Sequence, residues 1–168
     1  QNENRCILRH MKTLVLAIGN TLLTDEGVGI HALQALQDTH PEPEGVTYMD
    51  GGSLSFTLAG AVEDTDNLIV IDATQLKKKP GSVDCMINED MDKFLGSCKR
   101  SVHEVGLLDL LDISRLTGNL PQRRALVAIQ PDVIDWGDKP TELVAAAIPL
   151  VVDNIVDLMG QWECHRPV

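Results

Sequence analysis

The chain has 168 residues, 43% of them hydrophobic and 23% charged. That is the size and balance of one globular domain, with a core large enough to fold without a disulfide or a structural metal. Acids outnumber bases 25 to 14 for a formal charge of −11, and the aromatic residues are two Trp, one Tyr and two Phe; a chain that repels phosphates and offers so few rings for stacking excludes nucleic acid as a partner.

Residues 13–19 (TLVLAIG) form a continuous apolar run of strand length, as expected of a strand buried on both faces. The loop NTLLTDEG leads into a helical pattern in which Val28, Leu33, Ala35 and Leu36 are apolar while His31, Gln34 and Asp38 share a polar face. Residues 46–50 read as a second strand. Asp50-Gly51-Gly52-Ser53 then makes a turn, with Ser53 as N-cap of a helix over 53–62. Residues 67–72 (NLIVID) are a third buried strand. The connection TQLKKKPGS is too short and too rich in turn residues for a crossover helix, so the fourth strand, 83–88, is expected to run antiparallel at an edge. Residues 101–116 are the clearest helix, with Ser101 and Glu104 spaced as a capping box and Val105, Leu107, Leu108 and Leu111 on one face. Residues 124–129 (RALVAI) are a fifth strand, and a last helix starts near Thr141, with Pro149 kinking or restarting it before Leu158. The sum is a three-layer α/β domain: a twisted, mostly parallel five-stranded sheet with one antiparallel edge strand and helices on both faces.

The four cysteines, Cys6, Cys85, Cys98 and Cys164, form no close pair and read as reduced thiols of a cytoplasmic protein. The most apolar stretch, 143–152, is ten residues long and contains Pro149, well short of a bilayer span, so no membrane association is expected. Met11-Lys12 looks like a natural start. Residues 1–10 are accordingly read as a disordered or added extension, 11–160 as the domain and 161–168 as a C-terminal tail.

Ligands of open α/β sheets bind beyond the carboxyl ends of the strands. Acids follow three of those ends: Asp25-Glu26, Asp50 and Asp72. The helix opening at Ser101 leads into the fifth strand; if that strand is parallel to the first three, the helix starts at their carboxyl edge and carries His103 to the same rim. The twelve residues 89–100, at roughly 3.3 Å each, are long enough to climb back across the sheet. One imidazole and two or three carboxylates from separate loops suit a divalent transition metal. Glu26, Asp72 and His103 would balance its charge and leave positions open for water or substrate. The positive end of the helix also favours a neutral His103 able to ligate. Each residue has a quieter alternative: Asp25 as a helix N-cap, Glu26 in a first turn for the dipole, Asp72 bound to turn amides, and His103 in solvent. Asp50-Gly51-Gly52 is a turn whose glycines would also let another backbone approach.

The motifs LAIGNTLLTDEGVG, DGGS, IDA and SVHEVGLLDLL, in unbroken order between Lys12 and Met159, resemble those of the hydrogenase maturation endopeptidases, which process the large subunit of nickel-iron hydrogenases. The resemblance implies a metal site at Glu26, Asp72 and His103, the three positions that topology brings together. It implies a single cut that removes a C-terminal extension from the large-subunit precursor after nickel insertion, with the precursor's nickel as recognition element. Asp25, Asp50, Gly51 and Gly52 are candidate substrate contacts, and a monomeric, cytoplasmic enzyme is expected. One position departs from the family pattern: the residue after the histidine, often an amide or aspartate, is Glu104. The metal either polarises the scissile carbonyl and activates water with help from Glu26 or Asp25, or only anchors the substrate while a carboxylate activates water. No serine or cysteine beside a base suggests a covalent nucleophile.

Three other functions compete. A phosphoacceptor receiver domain also gathers acids at this edge, but it uses a lysine after the fifth strand, where this chain has Gln130-Pro131. A nucleotide-binding module would need GxGxxG or GxxxxGK[ST] spacing, which GNTLLTDEGVG lacks. A non-catalytic nickel-binding maturation or scaffold protein differs from the enzyme only in activity.

Overall fold

The computed structural model describes residues 11–53, 56–97 and 102–164, with the backbone alone at 102–105 and 164. The expected extension 1–10 and the Ser101–Glu104 capping box lie outside the described residues. Five strands form one sheet in the order β2-β1-β3-β5-β4: β1 Thr13–Ala17, β2 Val46–Asp50, β3 Asn67–Ala73, β4 Val83–Ile87 and β5 Arg123–Ile129. The first three and β5 are parallel, and β4 pairs antiparallel with β5 at the edge. This is the sheet expected from the sequence.

Side chains alternate across it, as strand geometry requires. Val15, Ala17, Ile69, Ile71, Ala125 and Val127 face one core, shared with helices α1 (Val28–Thr39) and α6 (Ile148–Cys164). Leu14, Leu16, Leu68, Val70 and Leu126 face the other. That second face is covered by α2 (Ala59–Glu63), α3 (Glu89–Ser97) and α4 (Val102–Leu116), through Val62, Met91, Leu95, Leu107 and Leu111.

Three expectations need correction. The helix expected over 53–62 is shorter: a single 3-10 turn, Phe56–Leu58, precedes α2, whose N-cap is Leu58 and not Ser53. Residues 89–97 are a helix and not a plain connector. Acidic Glu89, Asp90 and Asp92 fill the first turn of α3, and Met91 and Leu95, four apart, bury one stripe. Arg124 fastens this helix to β5 by donating from Nε to Asp92 Oδ1 at 2.9 Å. That hydrogen bond raises the guanidinium above its ordinary range and keeps it charged. Lastly, α6 continues through Cys164, past the boundary drawn at 160, because Trp162, 9% exposed, still packs in the core.

The break near Pro149 is as expected. A short α5 (Glu142–Ala145) ends before α6 restarts, with proline in its first turn where a missing N–H costs little. By length and composition Glu142–Glu163 would suffice to cross a membrane, a longer segment than the ten-residue run seen in the sequence. Its Val151, Ile155 and Leu158 are core residues packed with the α1 face of the sheet.

Candidate functional site

All four parallel strands end at one edge, where the loops after β1, β2, β3 and β5 meet. The register sets Ala17 beside Asp50 and Ile71, and Asp72 beside Ala128. Close approach at this edge depends on glycine. A Cβ on Gly29, in the first turn of α1, would lie 2.5 Å from the Ile18 carbonyl oxygen and 2.7 Å from that of Ile71. One on Gly19 would lie 2.2 Å from the carbonyl oxygen of Glu26. The loop after β1 is thereby folded back onto its own strand end, with Glu26 in a 3-10 turn, Thr24–Gly27.

Asp25 and Glu26 are neighbours in that turn and differ in surroundings. Asp25 is completely buried. Its Oδ2 accepts from the backbone N–H of Asp132 (2.8 Å) and of Val133 (2.9 Å) and from the Thr141 hydroxyl (3.0 Å), while Oδ1 accepts from the Thr141 N–H (2.6 Å). Asp25 therefore does not N-cap α1, where Gly27 stands, and its carboxylate is engaged within the fold. It joins the loop after β1 to the loop after β5 and to Thr141, the N-cap of α5. Thr24 adds to this seam: its hydroxyl donates to the Val133 carbonyl at 2.6 Å and its N–H to that of Gly137 at 2.8 Å. Glu26 is half-buried.

Asp72 is 2% exposed. By strand alternation it lies on the face of Leu68 and Val70, the face that α4 covers. Because α4 runs into parallel β5, its first turn, which contains His103, starts at the carboxyl edge. The His103 side chain lies outside the described residues. Among the described residues no three His, Cys, Asp or Glu side chains are grouped to hold a metal; the set expected from the sequence includes His103.

Asp50 is exposed, and its Oδ1 accepts from the N–H of Gly52 at 2.8 Å. The backbone that approaches these glycines is the chain's own. Gly19 N–H donates to the Gly52 carbonyl at 2.9 Å and Gly51 N–H to that of Ala17 at 2.8 Å. At the receiver-lysine position, the buried Gln130 side chain accepts from the N–H of Leu76 at 2.8 Å and donates to Gln75 at 3.0 Å. From the place where a receiver domain would carry its lysine, it braces the loop after β3. The Asp25 clamp and the exposed apolar side chains of the loop after β5 were not anticipated. A buried role for Asp25 has no periodic signal, since its partners are more than 100 positions away.

A family model described as hydrogenase maturation protease matches residues 30–158. The chain belongs to this family. It is 34% identical over 152 residues to the hydrogenase expression/formation protein HupD of Rhizobium leguminosarum bv. viciae, covering 90% of this chain and 75% of that one. It is 33% identical over 147 residues to the hydrogenase 2 maturation protease of Escherichia coli K12, covering 87% and 89%. The fold is similar to the hydrogenase maturating endopeptidase HybD from E. coli, with a TM-score of 0.85 and 32% identity over 90% of this chain and 93% of that one. Membership makes the enzyme class a protease.

Proposed function

We propose that this hydrogenase maturation protease removes the C-terminal extension of a nickel-iron hydrogenase large-subunit precursor after nickel insertion. Glu26, Asp72 and His103 complete the coordination of the nickel that the precursor presents. The observation that carries this reading is the common edge of the sheet from which the Glu26 turn, the end of β3 and the first turn of α4 all start. Two carboxylates and one neutral imidazole suit a borderline divalent metal and leave room for the precursor's own ligands.

The bond broken is the scissile amide C–N, and the bond formed joins water oxygen to the carbonyl carbon. One proton must leave the water and reach the departing amine. Asp25 is unsuited to carry it, since the residue is fully buried and both its oxygens already accept hydrogen bonds. Half-buried Glu26 is the carboxylate we assign to that transfer. Nickel supplies recognition, and when bound beside the scissile carbonyl it would also polarise it. Asp50, exposed at the end of β2, remains the candidate contact for the extended peptide. A monomer acting in the cytoplasm belongs to the same proposal; four cysteines without a close pair in sequence support the reducing compartment.

The test compares wild type with Glu26→Gln, Asp72→Asn and His103→Ala on the nickel-loaded precursor. Each variant is expected to lose cleavage while its urea unfolding midpoint and circular dichroism stay near wild type. Undiminished cleavage in all three would overturn the site.

A further inference from the structure

Four large apolar side chains stand exposed where the loops after β1 and β5 meet: Leu22 (58%), Val133 (43%), Ile134 (56%) and Trp136 (80%). Their backbone is fixed. Gly137 N–H donates to the Leu22 carbonyl at 3.0 Å, Thr24 holds Val133 and Gly137, and the Asp25 clamp lies beneath. Exposed apolar residues scattered singly need no explanation. Four of them, one a tryptophan, carried on two loops that are hydrogen-bonded together have the makeup of an interface core, where tryptophan is a frequent anchor. The surroundings are acidic: residues 132–142 carry Asp132, Asp135, Asp138 and Glu142 against Lys139 alone. Position adds a direction. Leu22 precedes Glu26 by four residues in one loop, so a chain held on this face reaches the candidate site within a few extended residues at roughly 3.3 Å each.

We propose that this face docks an apolar segment of the large-subunit precursor flanked by basic residues, with Trp136 as its anchor. The proposal rests on the processing reading above and names the surface by which that substrate is held. Apolar burial would supply affinity, and the aspartates would select a positively charged flank and speed encounter.

The full chain, labelled with 5-fluorotryptophan, is mixed with nickel-loaded precursor, and 19F spectra and cleavage are followed together. Of its two tryptophan signals, the one absent from Trp136→Ala belongs to Trp136. That signal is expected to shift with saturating precursor while the core Trp162 signal stays in place. Trp136→Ala is expected to raise Kd and KM by at least about tenfold, the scale of an interfacial anchor, with kcat within about twofold. Asp135→Lys with Asp138→Lys should weaken binding and flatten its dependence on salt. Cleavage with an unmoved Trp136 signal and an unchanged KM in Trp136→Ala would overturn the docking face and leave the processing reading intact. A shift without any cleavage would keep the docking face and overturn the processing reading. Neither binding nor cleavage would overturn both. A Trp136 signal that shifts with the concentration of this chain alone would assign the face to a second copy and overturn the proposal.

Discussion

The loop after β1 and the loop after β2 leave the same edge of the sheet on adjacent strands, and they are held in different ways. The first is sewn to a loop more than 100 residues away, through a buried carboxylate, a threonine hydroxyl and paired backbone amides. The second is held, among the described residues, by one aspartate turning back on its own glycine and by two backbone bonds to Ala17 and Gly19. Glu26 sits on the fastened loop, and the metal contact proposed for it needs a backbone that does not drift. Under the proposed function the acidic pair Asp25-Glu26 divides its labour, Asp25 building the frame and Glu26 facing the chemistry.

That division can be broken from either side. The largest effect is expected from Glu26→Gln, which should lower cleavage by at least about a hundredfold, the low end of what a positioned acid–base group contributes, with stability within about 0.5 kcal/mol of wild type. Asp25→Ala should do the reverse at first: it removes the acceptor of four part-buried hydrogen bonds, each contributing about 0.5–1.5 kcal/mol, so a loss of at least about 2 kcal/mol is expected in urea unfolding, and any fall in activity should track the folded fraction. Gly29→Ala should cost about 1–3 kcal/mol, toward the upper end, because the obstructing atoms are strand carbonyls that cannot step aside. The smallest effect belongs to Asp50→Ala, about 1 kcal/mol or less for a single exposed turn bond, with any change confined to KM. An Asp25→Ala protein as stable as wild type would remove the distinction between the two loops.

The sheet was legible because its strands are buried on both faces and read as unbroken apolar runs, and because the nine-residue connection before β4 left no room for a crossover. The edge that gathers Glu26, Asp72 and the first turn of α4 followed from that order of elements. What stayed hidden was long-range or weakly patterned. Helix α3 escaped because its segment was read as a connector, and its apolar stripe is only Met91 and Leu95 on a sharply acidic stretch. Asp25 and Glu26 look alike in sequence and are separated only by which of them meets the amides of residues 132, 133 and 141 in the folded chain. Trp136 and Ile134 carry no signal of their own, since an exposed apolar cluster exists only once the loops are joined.

The central claim is that the protein cuts a precursor that already carries its nickel. Purified chain should be incubated with nickel-loaded and with nickel-free large-subunit precursor, and the products weighed by intact-mass spectrometry. The account predicts loss of one C-terminal peptide from the loaded precursor and an unchanged mass for the nickel-free one. Equal cleavage of both, or cleavage of neither by a chain shown to be folded, would contradict it.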